Sequence, residues 1–241
     1  MVAKDKPPTP PSISACKKEV RLDFKKELKG LSQNKNYLFL SVCYTMIYAT
    51  VNSTGAIISS LTEPYGYTGK DNSIFGGVFI ISGILGSIVC GIVIDRYQRY
   101  RMLVILIGSF SFFFTVLSFF TLPSGSLPLF TLNQILLGFA SVPMNSVGFS
   151  YSVELTYPAP ESMSNGMMIL IAKIYGVLIT LASGTLASYS PRYAVTLFAV
   201  NNFIAGVASF FIIEDLRRLR PKKQIQKSLE NEEHQLEQII E

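Results

Sequence analysis

Lys173 is the residue whose position most directly suggests chemistry. It lies near the middle of an apolar segment at residues 164–187. A charge at the centre of a lipid bilayer costs at least about 2.5 kcal/mol, so an ionisable side chain there indicates a functional site. The helical face that it shares carries small or polar residues, namely Asn165 or Gly166, then Gly176, Thr180 and Gly184. This pattern predicts a water-filled cavity, although helix packing explains the glycines and the threonine equally well.

An earlier apolar segment carries a matching polar stripe. Tyr44, Tyr48, Asn52 and Gly55 recur at the spacing that places residues on one helical face. In a further segment, Pro143 with Asn145 predicts a kink whose freed carbonyl groups find polar partners. We therefore predict a substrate cavity with seven candidate residues: Lys173, Asn52, Tyr48, Tyr44, Gly176, Thr180 and Asn145.

The region that holds these residues is too apolar for a soluble domain. Of the 241 residues, 49% are hydrophobic and 15% are charged, whereas average soluble domains carry about 25% charged residues. Most of the charge lies before residue 36 or after residue 213. A helix needs about 20 mostly apolar residues to cross a bilayer. Six segments qualify and predict an all-α membrane protein with six transmembrane helices, at residues 37–61, 74–94, 102–122, 127–151, 164–187 and 193–213.

The distribution of lysine and arginine predicts the orientation of the chain. The N-terminal flank, the loop at residues 95–101 and the segment after the last span are all rich in these residues. With six spans they lie on one side, and the positive-inside rule assigns that side to the cytosol. We expect a multi-pass protein with both termini cytosolic, in a membrane that the sequence does not identify. The predicted parts are a linker with an amphipathic basic helix (1–35), a six-helix bundle (36–214) and a charged cytosolic tail (215–241).

Small residues in the second predicted span indicate close helix packing. Gly83, Ser87 and Gly91 share one helical face, and Gly86 lies adjacent to it. In lipid, such residues let two helix backbones approach closely, which favours association. We therefore expect this face to contact another helix.

A charged motif follows directly at the end of the same span. Gly91, Asp95, Arg96 and Arg99 form the pattern Gly-x-x-x-Asp-Arg-x-x-Arg. Arginines suit the negative end of a helix dipole, and Asp95 can hold one of them by a charge-assisted hydrogen bond. The pattern resembles the loop signature of the major facilitator superfamily, which lies between the second and third helices of a six-helix half.

A second stretch narrows the resemblance. Residues 154–158 read Glu-Leu-Thr-Tyr-Pro, and residues 172–176 read Ala-Lys-Ile-Tyr-Gly. They resemble the feline leukaemia virus subgroup C receptor-related family, whose members are linked to choline, ethanolamine and haem transport. The proline-rich run at residues 7–12 is similar to the central cytosolic linker of that family. The resemblance implies that the chain corresponds to the C-terminal six-helix half of a twelve-helix transporter.

The family fold also implies a cytosolic gate. In it, Asp95, Arg96, Arg99 and Glu154 hold the second and fourth spans together when the cytosolic side is closed. The acidic loop after the fourth span falls on the same predicted side as the arginines, which supports this pairing. A plain anchoring role for the arginines, as topology signals, is the alternative.

The candidate cavity differs at two positions from that of the receptor-related family that the chain resembles. Choline-handling members typically have glutamine where this chain has Lys173, and they tend to have an aromatic residue where it has Asn52. The chain also contains no tryptophan. Since cation recognition uses aromatic faces without a competing positive charge, an ammonium at 173 argues against a quaternary ammonium substrate. An anion, a zwitterion, a proton-coupled cycle or loss of transport each fits better.

The sequence therefore predicts a secondary transporter, or half of one, that moves a small solute by alternating access. A non-transporting membrane scaffold subunit and a truncated fragment of a twelve-helix transporter are the alternatives. We expect no enzymatic activity, no cofactor or metal and no nucleic-acid partner, because the motifs that would carry them do not occur. The expected partners are the lipid bilayer, the solute, and either a second six-helix half or a second copy of the chain.

Overall fold

The computed structural model describes residues 24–213, and the side chains from residue 28 onward. Within that part the chain is all helical and contains no strand. The helices are α1 (Phe24–Gln33), α2 (Lys35–Thr62), α3 (Gly69–Tyr97), α4 (Tyr100–Thr121), α5 (Leu127–Ser141), α6 (Met144–Thr156), α7 (Glu161–Tyr189) and α8 (Pro191–Phe210). Short turns join them, as the proline and glycine positions between the apolar segments favour.

Five helical segments of the described chain are long and apolar enough to cross a membrane. They are α3, α4, α7, α8 and the consecutive pair α5 and α6, taken together as Leu127–Thr156. The first predicted span falls on α2, which has 28 residues but is not among the five. Tyrosine, threonine, serine and asparagine residues make α2 more polar, and Ile57 within it has non-helical backbone angles (φ −111°, ψ 15°). By length and composition, the structure therefore supports five crossings.

The helix is interrupted at Pro143, where the sequence predicts a kink. α5 ends at Ser141, and α6 begins at Met144. Because proline lacks an N–H group, a helix that passes through it loses one backbone hydrogen bond. The Val147 N–H donates to the Pro143 carbonyl at 3.0 Å, so helical bonding resumes directly after the break. This arrangement starts α6 one residue before Asn145, whose side chain contacts Tyr44 of α2.

The start of α2, the end of α6 and the residues after α8 meet at one end of the bundle. The Asn34 amide donates to the Leu155 carbonyl at 2.8 Å, and Asn36 accepts a hydrogen bond from the Ile213 N–H at 3.1 Å. Both ends of the helical bundle therefore lie together.

An aromatic cluster closes the opposite end. The rings of Phe75 and Phe130 pack edge to face at 4.7 Å, and Tyr67 packs edge to face on Phe75 at 5.3 Å. The Tyr67 hydroxyl donates to the Leu122 carbonyl at 3.4 Å. Burial raises the pKa of Tyr67, which favours its neutral hydroxyl form. This cluster fixes the α2–α3 turn against α4 and α5.

Glycines allow α3 and α5 to cross in close contact. A Cβ atom at Gly138 would fall well inside van der Waals contact with the Phe79 carbonyl oxygen. A Cβ atom at Gly86 would meet the Phe139 carbonyl oxygen in the same way. A glycine of each helix therefore lies against the backbone of the other helix. Small residues permit such close packing in lipid.

The face of α3 that packs differs in part from the predicted one. Gly83 is buried, and a Cβ atom there would clash with Val142. Gly91, in contrast, has no atom within 4 Å of a built Cβ. The contact runs through Gly83 and Gly86, so the prediction is correct for Gly83 and wrong for Gly91 within the described residues.

The predicted N-terminal helix overlaps α1. Leu31 of α1 is buried, and a cleft of about 360 Å³ separates α1 from the turn at Thr156, Tyr157 and Pro158. The remainder of the predicted linker (1–23) and the predicted tail (215–241) lie outside the described residues. The bilayer-surface role of the basic helix stays a prediction.

Candidate functional site

A groove between α2 and α7 contains five of the seven predicted cavity residues. Its volume is about 260 Å³. Its lining is Tyr48, Asn52, Lys173, Gly176, Val177, Thr180 and Leu181. The polar positions recur every three or four residues on each helix, so each helix turns one side toward the groove. Val177 and Leu181 give α7 an apolar margin beside them.

Lys173 lies deep along its helix and points at an aromatic ring. It follows Glu161 by 12 residues and precedes Tyr189 by 16, so it lies about 18 Å and 24 Å from the two ends of α7. Its Nζ atom is 5.0 Å from the centroid of the Tyr48 ring, which is within cation–π range. Among the described residues, no carboxylate lines this groove. The ammonium group therefore has an aromatic partner but no acidic one there.

Tyr44 and Asn145 lie in the layer beneath the groove. Tyr44 is 1% exposed, and its hydroxyl donates to Asn145 Oδ1 at 3.2 Å. Its ring stacks on Tyr48 at 5.5 Å and packs against Phe149 at 5.4 Å. These two predicted cavity residues therefore do not line the groove; they hold the Tyr48 ring from below.

Direct contact between α2 and α7 forms the floor. Ser53 Oγ lies 2.7 Å from Thr180 Oγ1, and Thr180 donates its own proton to the Gly176 carbonyl at 2.8 Å. Ser53 must therefore be the donor in the bond between the helices. A Cβ atom at Gly176 would lie 4.0 Å from the Ala49 Cα, so the backbones are close at this level. The floor is therefore closely packed, and the exposed side chains of Lys173, Val177 and Leu181 lie on the open side of the groove.

A second cavity adjoins the groove and contains a residue that the sequence analysis did not single out. It measures about 230 Å³, lies between α2, α3 and α5, and shares Asn52 with the groove. Gln134 lines it and is 3% exposed. Within the described part of the chain, its Oε1 atom has no hydrogen-bond partner. The adjacent amides Asn133 and Gln134, within an apolar span, were the signal that could have identified it.

Residues 40–238 match the sequence pattern of the Major Facilitator Superfamily, which is most of the chain. The chain belongs to the major facilitator superfamily. Together with its apolar helices, this membership makes it a multi-pass integral membrane protein. The groove between α2 and α7 is therefore part of a major facilitator bundle.

Relatives within the superfamily confirm the narrower resemblance. Choline/ethanolamine transporter FLVCR1 of Felis catus is 30% identical over 222 residues, which cover 89% of this chain and 40% of the relative. Choline/ethanolamine transporter flvcr2a of Danio rerio is 26% identical, covering 92% of this chain and 49% of the relative. Choline/ethanolamine transporter FLVCR2 of Homo sapiens is 25% identical, covering 98% and 46%. The chain spans less than half the length of these relatives.

The predicted gate residues of this superfamily member lie near one end of the bundle. The exposed members, at the end of α3 and in the loop after it, are Asp95, Arg96 and Arg99. Glu154 lies in α6 and is 5% exposed. The rings of Tyr100, which directly follows Arg99, and Tyr151 stack at 5.4 Å with an interplanar angle of 12°, so the start of α4 packs against α6. The basic loop and the Glu154 helix are thus neighbours, with the carboxylate turned further inward than the arginines.

Proposed function

We propose that this chain is the solute-binding bundle of a secondary transporter that works by alternating access. The position of Lys173 carries the proposal. A charged group near the middle of a 29-residue apolar helix, opening on a polar groove, is costly in lipid and useful only beside water or a solute. The transporter relatives support the same conclusion.

The groove also requires a second bundle. In superfamily transporters the solute lies between two six-helix halves that rock about it. Left alone, α2 and α7 would present Lys173 and Asn52 to acyl chains. We infer that a further bundle, in a longer form of the chain, in a separate chain or in a second copy, covers this face.

The same fold leads us to assign a membrane crossing to α2. Its 28 residues span about 42 Å, which exceeds the hydrocarbon thickness, and its polar residues then face the groove instead of lipid. Six crossings place both ends of the bundle on one side. The arginines of the α3–α4 loop assign that side to the cytosol.

Cysteine accessibility tests the transporter proposal without knowledge of the solute. In a background where Cys16, Cys43 and Cys90 are replaced by alanine, Asn52→Cys and Thr180→Cys should react with a membrane-impermeant thiosulfonate. Ile84→Cys is the control, because Ile84 lies mid-way along α3, is 53% exposed and should face lipid. If the groove variants react no faster than the Ile84 variant, water does not reach the groove and the proposal fails.

A substitution at Glu154 tests the proposed cytosolic gate. Glu154→Gln should increase labelling of the Asn52→Cys variant from the cytosolic side about fivefold, because a lost pair worth about 1 kcal/mol shifts a two-state equilibrium by that factor. Glu161→Gln, at the exposed start of α7, should leave labelling unchanged. Equal labelling rates in the Glu154→Gln and Glu161→Gln variants would contradict the gate and would favour the alternative, in which the arginines act only as topology signals.

A further inference from the structure

We propose that the groove binds its solute through a negatively charged group, and that it rejects quaternary ammonium compounds because Lys173 already occupies the aromatic face they would need. This inference rests on the proposed transport function and names the solute class. It departs from the choline and ethanolamine in the names of the relatives.

The first step is the occupancy of the Tyr48 ring. Aromatic faces within about 6 Å of a cation are the usual recognition element for quaternary ammonium ligands. Here Lys173 Nζ stands 5.0 Å from that ring. Tyr44 stacks on the same ring at 5.5 Å and is itself pinned by Asn145, so the ring cannot easily turn to offer another face. The chain supplies its own cation to this position.

The second step is the charge balance of the groove. Of the described residues that line the groove, only Lys173 is charged, and the polar atoms beside it belong to neutral groups of Tyr48, Asn52 and Thr180. A second cation would meet an uncompensated positive charge in a region of low dielectric constant, which is strongly unfavourable. A carboxylate or a phosphate would instead compensate that charge and form a charge-assisted hydrogen bond with the ammonium.

The third step is size. A groove of about 260 Å³ lies just below the range of about 300–1,000 Å³ that is typical of complete ligand pockets. This volume is consistent with a groove that forms one wall of a binding site, with a second bundle supplying the other wall. The solute is therefore small, with its anionic group at Lys173 and its remainder toward the opening.

A thermal unfolding assay on the purified chain tests the inference. The chain has no tryptophan, but Cys43 is fully buried in α2, whereas Cys90 is only half-buried. In a background where Cys16 and Cys90 are replaced by alanine, a fluorogenic maleimide therefore reports unfolding when the Cys43 thiol becomes exposed. The probes are sodium lactate, sodium phosphate and choline chloride, each compared with sodium chloride at equal ionic strength. Lactate and phosphate distinguish a carboxylate from a phosphate.

At a probe concentration near five times its Kd, lactate or phosphate should raise the unfolding midpoint by about 2–4 °C, and choline should not. In Lys173→Gln the preference should reverse, because the ring becomes free and the positive charge is gone. Lys173→Arg should keep the response to anions and show none to choline.

Stabilisation of the unchanged chain by choline would overturn the inference, as would the absence of any response to both anions. Equal responses of the unchanged chain and Lys173→Gln to an anion would also overturn it. Cysteine labelling separates this failure from that of the proposed function. If Asn52→Cys is accessible but no anion binds, only the solute class is wrong; if it is inaccessible, the transporter proposal fails as well.

Discussion

Replacing Gly138 with alanine should destabilise the bundle by about 2–3 kcal/mol, the largest effect we expect from a single methyl group. The added Cβ would overlap the Phe79 carbonyl oxygen and lie 2.6 Å from Ser82 Oγ. The first obstacle is backbone, so no rotamer change relieves it, and α3 must move away from α5. Overpacking of this kind typically costs 1–3 kcal/mol. The unfolding midpoint, followed through Cys43 labelling, and the monodisperse yield in detergent measure the loss.

Gly91→Ala is the matched control for this substitution. Gly91 lies in the interior of α3, one of the two crossing helices, but has no atom within 4 Å of a built Cβ. Alanine restricts the unfolded chain and favours helix, so this variant should be unchanged or more stable by about 0.4–1 kcal/mol. Similar midpoints for the two alanine variants would show that α3 and α5 do not pack closely at Gly138.

The positions of the helices could be predicted from the sequence because apolar segments of that length have few other structures in lipid. Five of the six predicted segments fall on one helix each. The fourth, residues 127–151, falls on α5 and α6, which are separated at Pro143. The observed helices extend beyond the predicted bounds. The segment predicted at residues 74–94 lies in α3 (Gly69–Tyr97), and the segment predicted at residues 164–187 lies in α7 (Glu161–Tyr189). Apolarity detects only the part within the hydrocarbon, whereas caps such as Thr68, which bonds Asp71, extend helices into polar surroundings.

The contacts between helices could be predicted only in part. Small residues occur on more than one side of α3, and their four-residue spacing favours the face of Gly91 over that of Gly86. The partner helix decides between them. On α5, Gly138 has no side chain, so the α3 backbone can pack directly against it. For the same reason Gln134 was not singled out, since its direction depends on how α5 packs against α2.

The groove was easier to predict than the packing because it depends on periodicity within two helices. Lys173, Gly176 and Thr180 share one side of α7, and Tyr48 and Asn52 share one side of α2. That α2 and α7 are adjacent is a property of the fold and not of either stripe. Tyr44 lies one helical turn before Tyr48 on the same side of α2, but its ring is buried beneath the Tyr48 ring and does not line the groove.

Replacing Lys173 with leucine should make α7 insert into a membrane more favourably, by about 3 kcal/mol. On insertion scales, lysine at a helix centre costs about 2.5–3.5 kcal/mol, whereas leucine contributes about −0.3 to −0.6 kcal/mol. Lys173 lies two residues from the midpoint of α7, so nearly the full difference applies. Glycosylation mapping of α7 insertion measures it. Lys70→Leu, near the start of α3 where a lysine reaches water, is the control and should change insertion little.

The sign of this result bears on what Lys173 does. A structural lysine would stabilise the helix that holds it, so its removal would impair insertion or folding. A solute-binding lysine instead makes insertion harder, and water or a bound anion in the groove offsets the cost. Lys173→Leu should therefore insert better and yet lose the thermal response to lactate or phosphate. If α7 inserts equally well with lysine and with leucine, position 173 is not at membrane depth, and the cost that points to a functional groove does not exist.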